Sequence, residues 1–495
     1  MASLETANST ENLKRFAVDP VSRVEGHGKV TLLVDENNRI QQVRLHIVEF
    51  RGFEKFIQGR PYWEVPVLVQ RLCGICPISH HLAAAKAVDQ IVGVNRLTEA
   101  TEKLRRLLHY GQVLQSHALH FFHLASPDLL FGFESDIQKR NIVAVIQSQK
   151  EVALKGIHLR RFGQQVIEAI TGKRIHGTFC LPGGANKALS VAEKAPLLAE
   201  IKTILQYAED TVNLARSLFL QNGDYHRNFA TIKSNFMGMI GKKGELELYH
   251  GNLRLIDENA NKIVDQFDYC NYPDILLEEV KSWTYMKFPH YKALGPEKGW
   301  YRVGPLARLN VCDFISTPKA ELRRQQYFAD LGATPVHSAL AFHWARMIEL
   351  LHCAEMIEAL LNDPATESQD LMVTGTKQKE GIGVIEAPRG TLFHHYKIGD
   401  DDLIEFANLI VSTTNNNQAM NESIRQVAQT YLDGKELNEA ALNQIEVAIR
   451  AYDPCLSCAT HAVGKMPLII EKRDFNGQLI ESLTRASNGL IEKGQ

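Results

Sequence analysis

The chain has 495 residues, 45% of them hydrophobic and 23% charged, with a net charge of -2 at pH 7. This composition excludes an intrinsically disordered chain and leaves room for a sizeable core, with about three domains as a loose prior from length alone. The near-zero charge excludes a bulk positive field for nucleic acid or an anionic membrane. No apolar run is long enough for a transmembrane segment, and the start (Met1 to Thr6) has no signal-peptide pattern, which predicts synthesis in the cytoplasm.

Residues 1–15 are polar and aperiodic and read as a loose arm, with order beginning near Phe16. Partial alternation in Gly28 to Val34 and Ile40 to Phe50, joined by Asp35-Glu-Asn-Asn38, predicts a β-hairpin over about 28–50. Long apolar stripes at helical spacing follow over Val65 to Val92, Thr98 to Leu124, Asp136 to Thr171 and Val191 to Asn222. Short β-like runs such as Leu246 to Tyr249 and Asn261 to Val264 suggest a small sheet inserted over about 236–273. Helical periodicity returns from Leu322 to Leu361, then come Gly381 to Gly390, a strand candidate at Leu403 to Ser412, and two helices ending near Tyr452. The predicted class is mainly α with minor antiparallel β (α+β), a long-helix bundle core without an internal linker, so that 16–461 forms one domain.

Eight cysteines in so long a chain do not make a disulfide framework, and four of them form two Cys-x-x-Cys pairs, Cys73/Cys76 and Cys455/Cys458. Such a turn brings two soft thiolates to one ion, and two turns can close a four-sulfur site. Spacing alone fits a structural zinc as well as a redox metal. Cys180, Cys270, Cys312 and Cys353 are isolated and read as small buried hydrophobes.

The flanking residues carry a resemblance. Arg71-Leu-Cys-Gly-Ile-Cys-Pro-Ile-Ser-His-His81 and Asp453-Pro-Cys-Leu-Ser-Cys-Ala-Thr-His461 resemble motifs of nickel-iron hydrogenase large subunits. Further matching stretches are Arg23-Val-Glu-Gly-His-Gly28, Arg51-Gly-Phe-Glu54, Gln115-Ser-His117, Pro182-Gly-Gly184, Gly304-Pro-Leu306 and Glu386-Ala-Pro-Arg-Gly390, so the resemblance spans nearly the whole chain. Glu49 to Phe56, Ser282 to Pro289 and Arg450 to His461 are most similar to the soluble, NAD-linked, bidirectional members.

The resemblance implies a fold of the hydrogenase large-subunit type and reversible heterolytic cleavage of H2. It implies Cys73 and Cys455 as terminal nickel ligands, Cys76 and Cys458 as bridges to an iron carrying two cyanides and one carbon monoxide, and Glu25 as proton acceptor from Cys455. Taken bare, Glu25 would sooner be a salt-bridge partner of Arg23. Arg389 is implied over the metals, with Asp453, Ser412 (or Thr413), Ser116 and His80 around their ligands. Ser116 and Ser412 depart from the respiratory pattern, which has an aspartate and a proline there. Glu54, the Leu409 carbonyl and His461 are implied to hold a magnesium ion.

The resemblance also implies partners: an iron-sulfur small subunit, flavin-containing diaphorase subunits that carry FMN and bind NAD, a maturation endopeptidase and nickel chaperones. This chain has no Gly-x-Gly-x-x-Gly fingerprint and spends both cysteine pairs on the metals, so NAD and the iron-sulfur clusters are expected on partner subunits. Residues 462–495 resemble an extension removed after His461, and a cytoplasmic location follows from the subgroup. Alternatives are NADP or a deazaflavin as acceptor, a structural zinc protein, and a metal-free subunit like that of respiratory complex I.

Overall fold

The computed structural model describes residues 13–461, 468–473, 478–485 and 491–494. Its centre is the largely apolar helix Ala341–Leu361, buried along most of its length and carrying the buried polar residues His343, Arg346, Glu349 and His352. A helix buried all round needs neighbours on all faces. The helices Glu99–Leu119, Val191–Gln221 and Pro318–Leu331 supply them. Leu350 is wholly buried in this layer, where truncation to alanine would cost about 2–5 kcal/mol.

Local sequence sets the helix ends. The Thr98 hydroxyl accepts from the Thr101 amide at the start of Glu99–Leu119, and Ser190 with Glu193 forms a reciprocal capping box before Val191–Gln221. Lys150–Thr171 stops at Gly172, in the left-handed conformation. Lys150–Thr171 packs on Glu99–Leu119 so closely that a Cβ at Gly163 would sit 2.7 Å from the Gly111 carbonyl oxygen.

Three sheets cover the helices. Lys14–Val18, Gly28–Val34 and Ile40–Ile47 form an antiparallel sheet. Asn235–Ile240, Asn252–Ile256 and Lys262–Phe267 are antiparallel, while Tyr301–Arg302 joins the free edge of Asn235–Ile240 in parallel. Glu380–Ala387, Gly390–Ile398 and Ile404–Ile410 make the third sheet. Its first strand lies against the helix Pro77–Ile91, where Gly381 and Gly383 allow close approach, since a Cβ at either would collide with the Ala87 or Ala83 carbonyl oxygen.

Most expected elements are present, with several differences, among them that Asp136 to Thr171 is helical only over Ile142–Ser148 and Lys150–Thr171, and that Leu322 to Leu361 is interrupted after Leu331, where Gly332 is left-handed. The N-terminal arm ends earlier than residue 15, because Lys14 and Arg15 already pair with Val34 and Leu33 and extend the hairpin to three strands; residues 1–12 lie outside the described residues. The stripe Val65 to Val92 is broken into Val65–Leu68, a 3-10 turn Val69–Leu72 and the helix Pro77–Ile91, since Cys73 is extended and Pro77 suits a helix start. Leu246 to Tyr249 forms bridges and turns instead of a strand, its carboxylate Glu247 accepting from the Tyr249 and His250 amides. The short parallel pairing adds to the expected antiparallel β structure. Past His461, Leu468–Arg473, Leu479–Arg485 and Ile491–Gly494 form an antiparallel meander, and residues 462–467 of the expected extension lie outside the described residues. Among the described residues no helix is long and apolar enough to cross a membrane.

Candidate metal centre

The two cysteine turns meet in the core. Cys73 and Cys76 lie between the 3-10 turn and the helix Pro77–Ile91, with Cys76 at that helix's N-terminal boundary. Cys455 and Cys458 follow the helix Glu439–Ala451, redirected by Asp453 in the left-handed region (φ 54°) and by Pro454. A left-handed non-glycine residue is costly by about 1 kcal/mol or more, and it persists here because Asp453 is held on two sides. The Arg389 Nε donates to its carbonyl oxygen at 2.6 Å, and Arg389 Nη2 to its Oδ1 at 3.0 Å.

All four sulfurs lie within 4.8 Å of one another and are buried. Cys73 and Cys76 approach to 2.9 Å, Cys455 and Cys458 to 2.7 Å, and Cys73 and Cys455 to 3.4 Å, with every cysteine in the free thiol form. The Ile75 and Cys76 amides donate to Cys73 Sγ at 3.2 and 3.0 Å, the nest-like arrangement that favours a thiolate. Hydrogen bonds from the other three thiols hold Cys76 well below the usual thiol range, while burial pushes Cys455 and Cys458 well above it. Ionising all four in this volume needs more positive charge than the fixed cation nearby, Arg389, supplies. A soft metal cation fits that donor set and that charge deficit.

Glu25 reaches the same place by backbone pairing. It forms a parallel bridge with Cys455, and its carbonyl accepts from the Leu456 amide at 2.9 Å. Gly26 next to it has φ 83°, and a Cβ there would meet the Ser457 nitrogen at 2.5 Å, so only glycine lets these segments touch. Glu25 Oε2 accepts from Cys455 Sγ at 2.9 Å and from the Ser457 amide at 3.2 Å, and Oε1 accepts from the Ser457 hydroxyl. The salt bridge with Arg23 is not formed: Arg23 instead donates to Asp128 at 2.6 Å and to the Leu124 carbonyl at 2.9 Å.

A small cavity opens beside the sulfurs, lined among others by Cys76, Cys458, His80, Arg389, Ser412 and Thr413. Arg389 Nη1 donates to Ser116 Oγ at 3.4 Å, Ser412 Oγ to the Gly390 carbonyl at 2.7 Å, and the Cys455 amide to Thr413 Oγ1 at 3.0 Å. His80 is hydrogen-bonded to His394 at 3.1 Å. Asp453, Ser412, Ser116 and His80 are thus all brought to the cavity or to the arginine that caps it.

Glu54 contacts Leu409, and His461 contacts the Cys458 carbonyl. The Leu409 amide donates to Glu54 Oε1 at 2.9 Å, so this contact uses the N–H of Leu409 and not the carbonyl that was expected to serve. His461 bonds the Cys458 carbonyl through Nε2, leaves Nδ1 unpartnered, and stands edge-on to Phe53 with ring centres 5.8 Å apart. Burial keeps His461 neutral, its pKa lowered to about 3. A carboxylate and a buried imidazole with a spare lone pair are compatible with a hard divalent cation.

Sequence reasoning missed the support behind Arg389. Arg308, wholly buried, donates to Glu349 at 2.6 and 2.5 Å, to Glu386 at 2.8 Å, and to the Ala387 and Pro388 carbonyls at 2.9 and 3.2 Å. His117, read as a packed structural group with a possible part in a proton path, donates to Glu349 at 2.7 Å. Ser457 was also missed, and its place inside a Cys-x-x-Cys turn was the available signal.

A helical protein whose two chain ends close a buried four-thiolate pocket, with a carboxylate on one sulfur and an arginine over a cavity, is built as a redox metalloprotein. The chain belongs to the nickel-dependent hydrogenase family, whose model matches residues 51–144 and 248–461, and a HoxL-like model matches residues 15–50. It is 44% identical over 487 residues to the NAD-reducing hydrogenase HoxS subunit beta of Cupriavidus necator, covering 95% of this chain and 100% of that protein. It is 39% identical over 483 residues to the vhc F420-non-reducing hydrogenase of Methanococcus voltae, covering 95% of this chain and 100% of the matched one. Among solved structures, an NAD+-reducing nickel-iron hydrogenase in the H2-reduced state superposes with a TM-score of 0.89 at 54% identity, covering 90% of this chain and 99% of that chain. The four cysteines fit the nickel-iron site of the family.

Proposed function

We propose that this chain is the H2-cleaving subunit of an NAD-reducing, cytoplasmic nickel-iron hydrogenase complex, passing electrons through an iron-sulfur small subunit to a flavin-containing diaphorase. The 2.9 Å contact of Cys455 Sγ with Glu25, inside a closed four-thiolate set, carries the chemical half of this reading. The acceptor half is supported by full-length similarity to NAD-reducing relatives at 44% and 54% identity.

Cys73, Cys76, Cys455 and Cys458 would hold the nickel and iron. When bound, that centre supplies the polarisation and two-electron capacity that converting H2 into two protons and two electrons requires. Around it, Cys455 Sγ takes a proton and hands it to Glu25 Oε2, which Ser457 orients from both its amide and its hydroxyl. Arg389, fixed by Asp453 and Ser116, presents a permanent positive charge to the cavity, where it would favour anionic ligands of the iron, and Ser412 and Thr413 line the same cavity. His80 lines the cavity wall, held by its hydrogen bond with His394. Glu54, the Leu409 carbonyl and His461 would hold a magnesium ion that ties the C-terminal turn to the sheet Glu380–Ile410. Cleavage after His461, by an endopeptidase acting once nickel chaperones have delivered the metal, is supported by the family match ending at that residue.

Infrared spectroscopy of the purified complex, with metal analysis and H2-dependent NAD reduction on the same sample, tests the reading. One carbonyl and two cyanide bands, stoichiometric nickel and iron, and NAD reduction are expected. One zinc per chain without those bands would overturn it, and reduction of NADP or a deazaflavin but not NAD would overturn the acceptor.

A further inference from the structure

Away from the metal centre, a cavity of ≈ 690 Å³ lies between the end of the helix Pro77–Ile91, the loop to Glu99, and the loops carrying Lys242 and Tyr269. Its volume is in the range of small-molecule sites. Lys86 forms the floor, ten residues along the helix from Cys76, or about 15 Å at the helical rise.

The ionic pairing around this cavity is lopsided. Each lining carboxylate already has a cation: Asp89 has Arg105 at 2.5 Å, Glu99 has Lys103 at 2.6 Å, and Glu102 has Arg106 at 2.7 Å and His250 at 2.9 Å. Three lining cations have no carboxylate partner among the described residues: Lys86, Arg96 and Lys242. Lys86 is only 4% exposed, donates to the Tyr249 and Val384 carbonyls at 2.6 Å each, and retains a third N–H. Its ammonium lies 4.8 Å from the Tyr269 ring centre. Burial pulls Lys86 down to about 7 against the opposing fields of Glu102 and Glu247, neither of which touches it, so its ammonium has no carboxylate in contact.

We propose that this cavity binds a small phosphate ester, its phosphoryl group held by Lys86, Arg96 and Lys242 and its organic part lying along Tyr269 and His250. Three cations from three separate elements suit an oxyanion that presents oxygens in several directions better than a two-oxygen carboxylate. A concave, walled cavity with a lysine at its floor favours a small ligand over a protein segment.

Calorimetric titration of the full-length chain, alone and in its assembled complex, with AMP and with pyrophosphate, tests this. AMP is expected to bind saturably at one site per chain in both forms. The exposed double variant Arg96→Ala/Lys242→Ala should weaken it at least ten-fold without changing the fold, and Lys86→Met should abolish it. The surface pair carries the test if Lys86→Met does not fold. No saturable AMP binding, unchanged affinity in the surface variant, or binding of pyrophosphate alone would overturn the proposal. So would AMP binding that vanishes on assembly, which would mark the cavity as the seat of an acidic partner segment.

Discussion

Cys455 and Glu25 are joined by one hydrogen bond from Sγ to Oε2 of 2.9 Å, and the pairing of their backbones holds it in place. A proton leaving that sulfur therefore has its acceptor at contact distance before any rearrangement. Glu25→Gln keeps the shape, the hydrogen-bonding oxygen and the contact with Ser457 but removes the base. H2 oxidation should fall by about 10²–10⁴-fold, the usual worth of a positioned proton acceptor, while nickel and iron content stay stoichiometric. Activity retained within a few-fold would move the proton route elsewhere.

The four clustered cysteines predict a different signature. Cys458 is wholly buried and its neighbour Cys455 lies 2.7 Å away. Cys458→Ser replaces a soft thiolate with a hard hydroxyl of high pKa, which a nickel-iron pair does not accept. Metal analysis should show loss of iron and nickel together, with far-ultraviolet dichroism unchanged. Retention of both metals at wild-type stoichiometry would contradict the assignment.

The cysteines were legible because Cys-x-x-Cys spacing is a local property and the chemistry of sulfur restricts what it can serve. The Glu25 contact was not legible from the residues alone, because the nearest cation in sequence, Arg23, has φ 54° and turns away to Asp128. The helix start after Cys76 was legible from Pro77, whereas the 3-10 turn Val69–Leu72 was not, because apolar periodicity continues through Leu72 and Ile78. Arg308 has no local sequence feature that marks its role. Its partners, Glu349 and Glu386, are remote in sequence, so no pattern could pair them.

That buried network gives a stability prediction. Arg308→Met leaves Glu349 and Glu386 as uncompensated charges and releases the Ala387 and Pro388 carbonyls that seat Arg389. Breaking one side of a buried ion pair costs about 3–5 kcal/mol. Denaturant unfolding should show that loss, and H2 oxidation should drop with it. Combining Arg308→Met with Glu349→Gln should cost less than the two single variants added, since each single change strands the other's partner. Simple additivity would mean that the groups do not act as one unit.

Acid sensitivity follows from buried neutral histidines. Burial lowers His109, His117 and His352 from 6.5 to about 4; the first bonds the Leu248 and Glu386 carbonyls, the second Glu349, the third Thr317. A base whose folded pKa is depressed binds fewer protons in the native state than in the unfolded chain. Its contribution is complete above 6.5 and is lost as pH falls toward 4. Unfolding midpoints should therefore begin to drop near pH 6.5, before most carboxylates titrate. His352→Gln, which can keep a bond to Thr317 without titrating, should flatten part of that slope. A wild-type profile level down to pH 4.5 would show that these imidazoles are already charged in the folded protein.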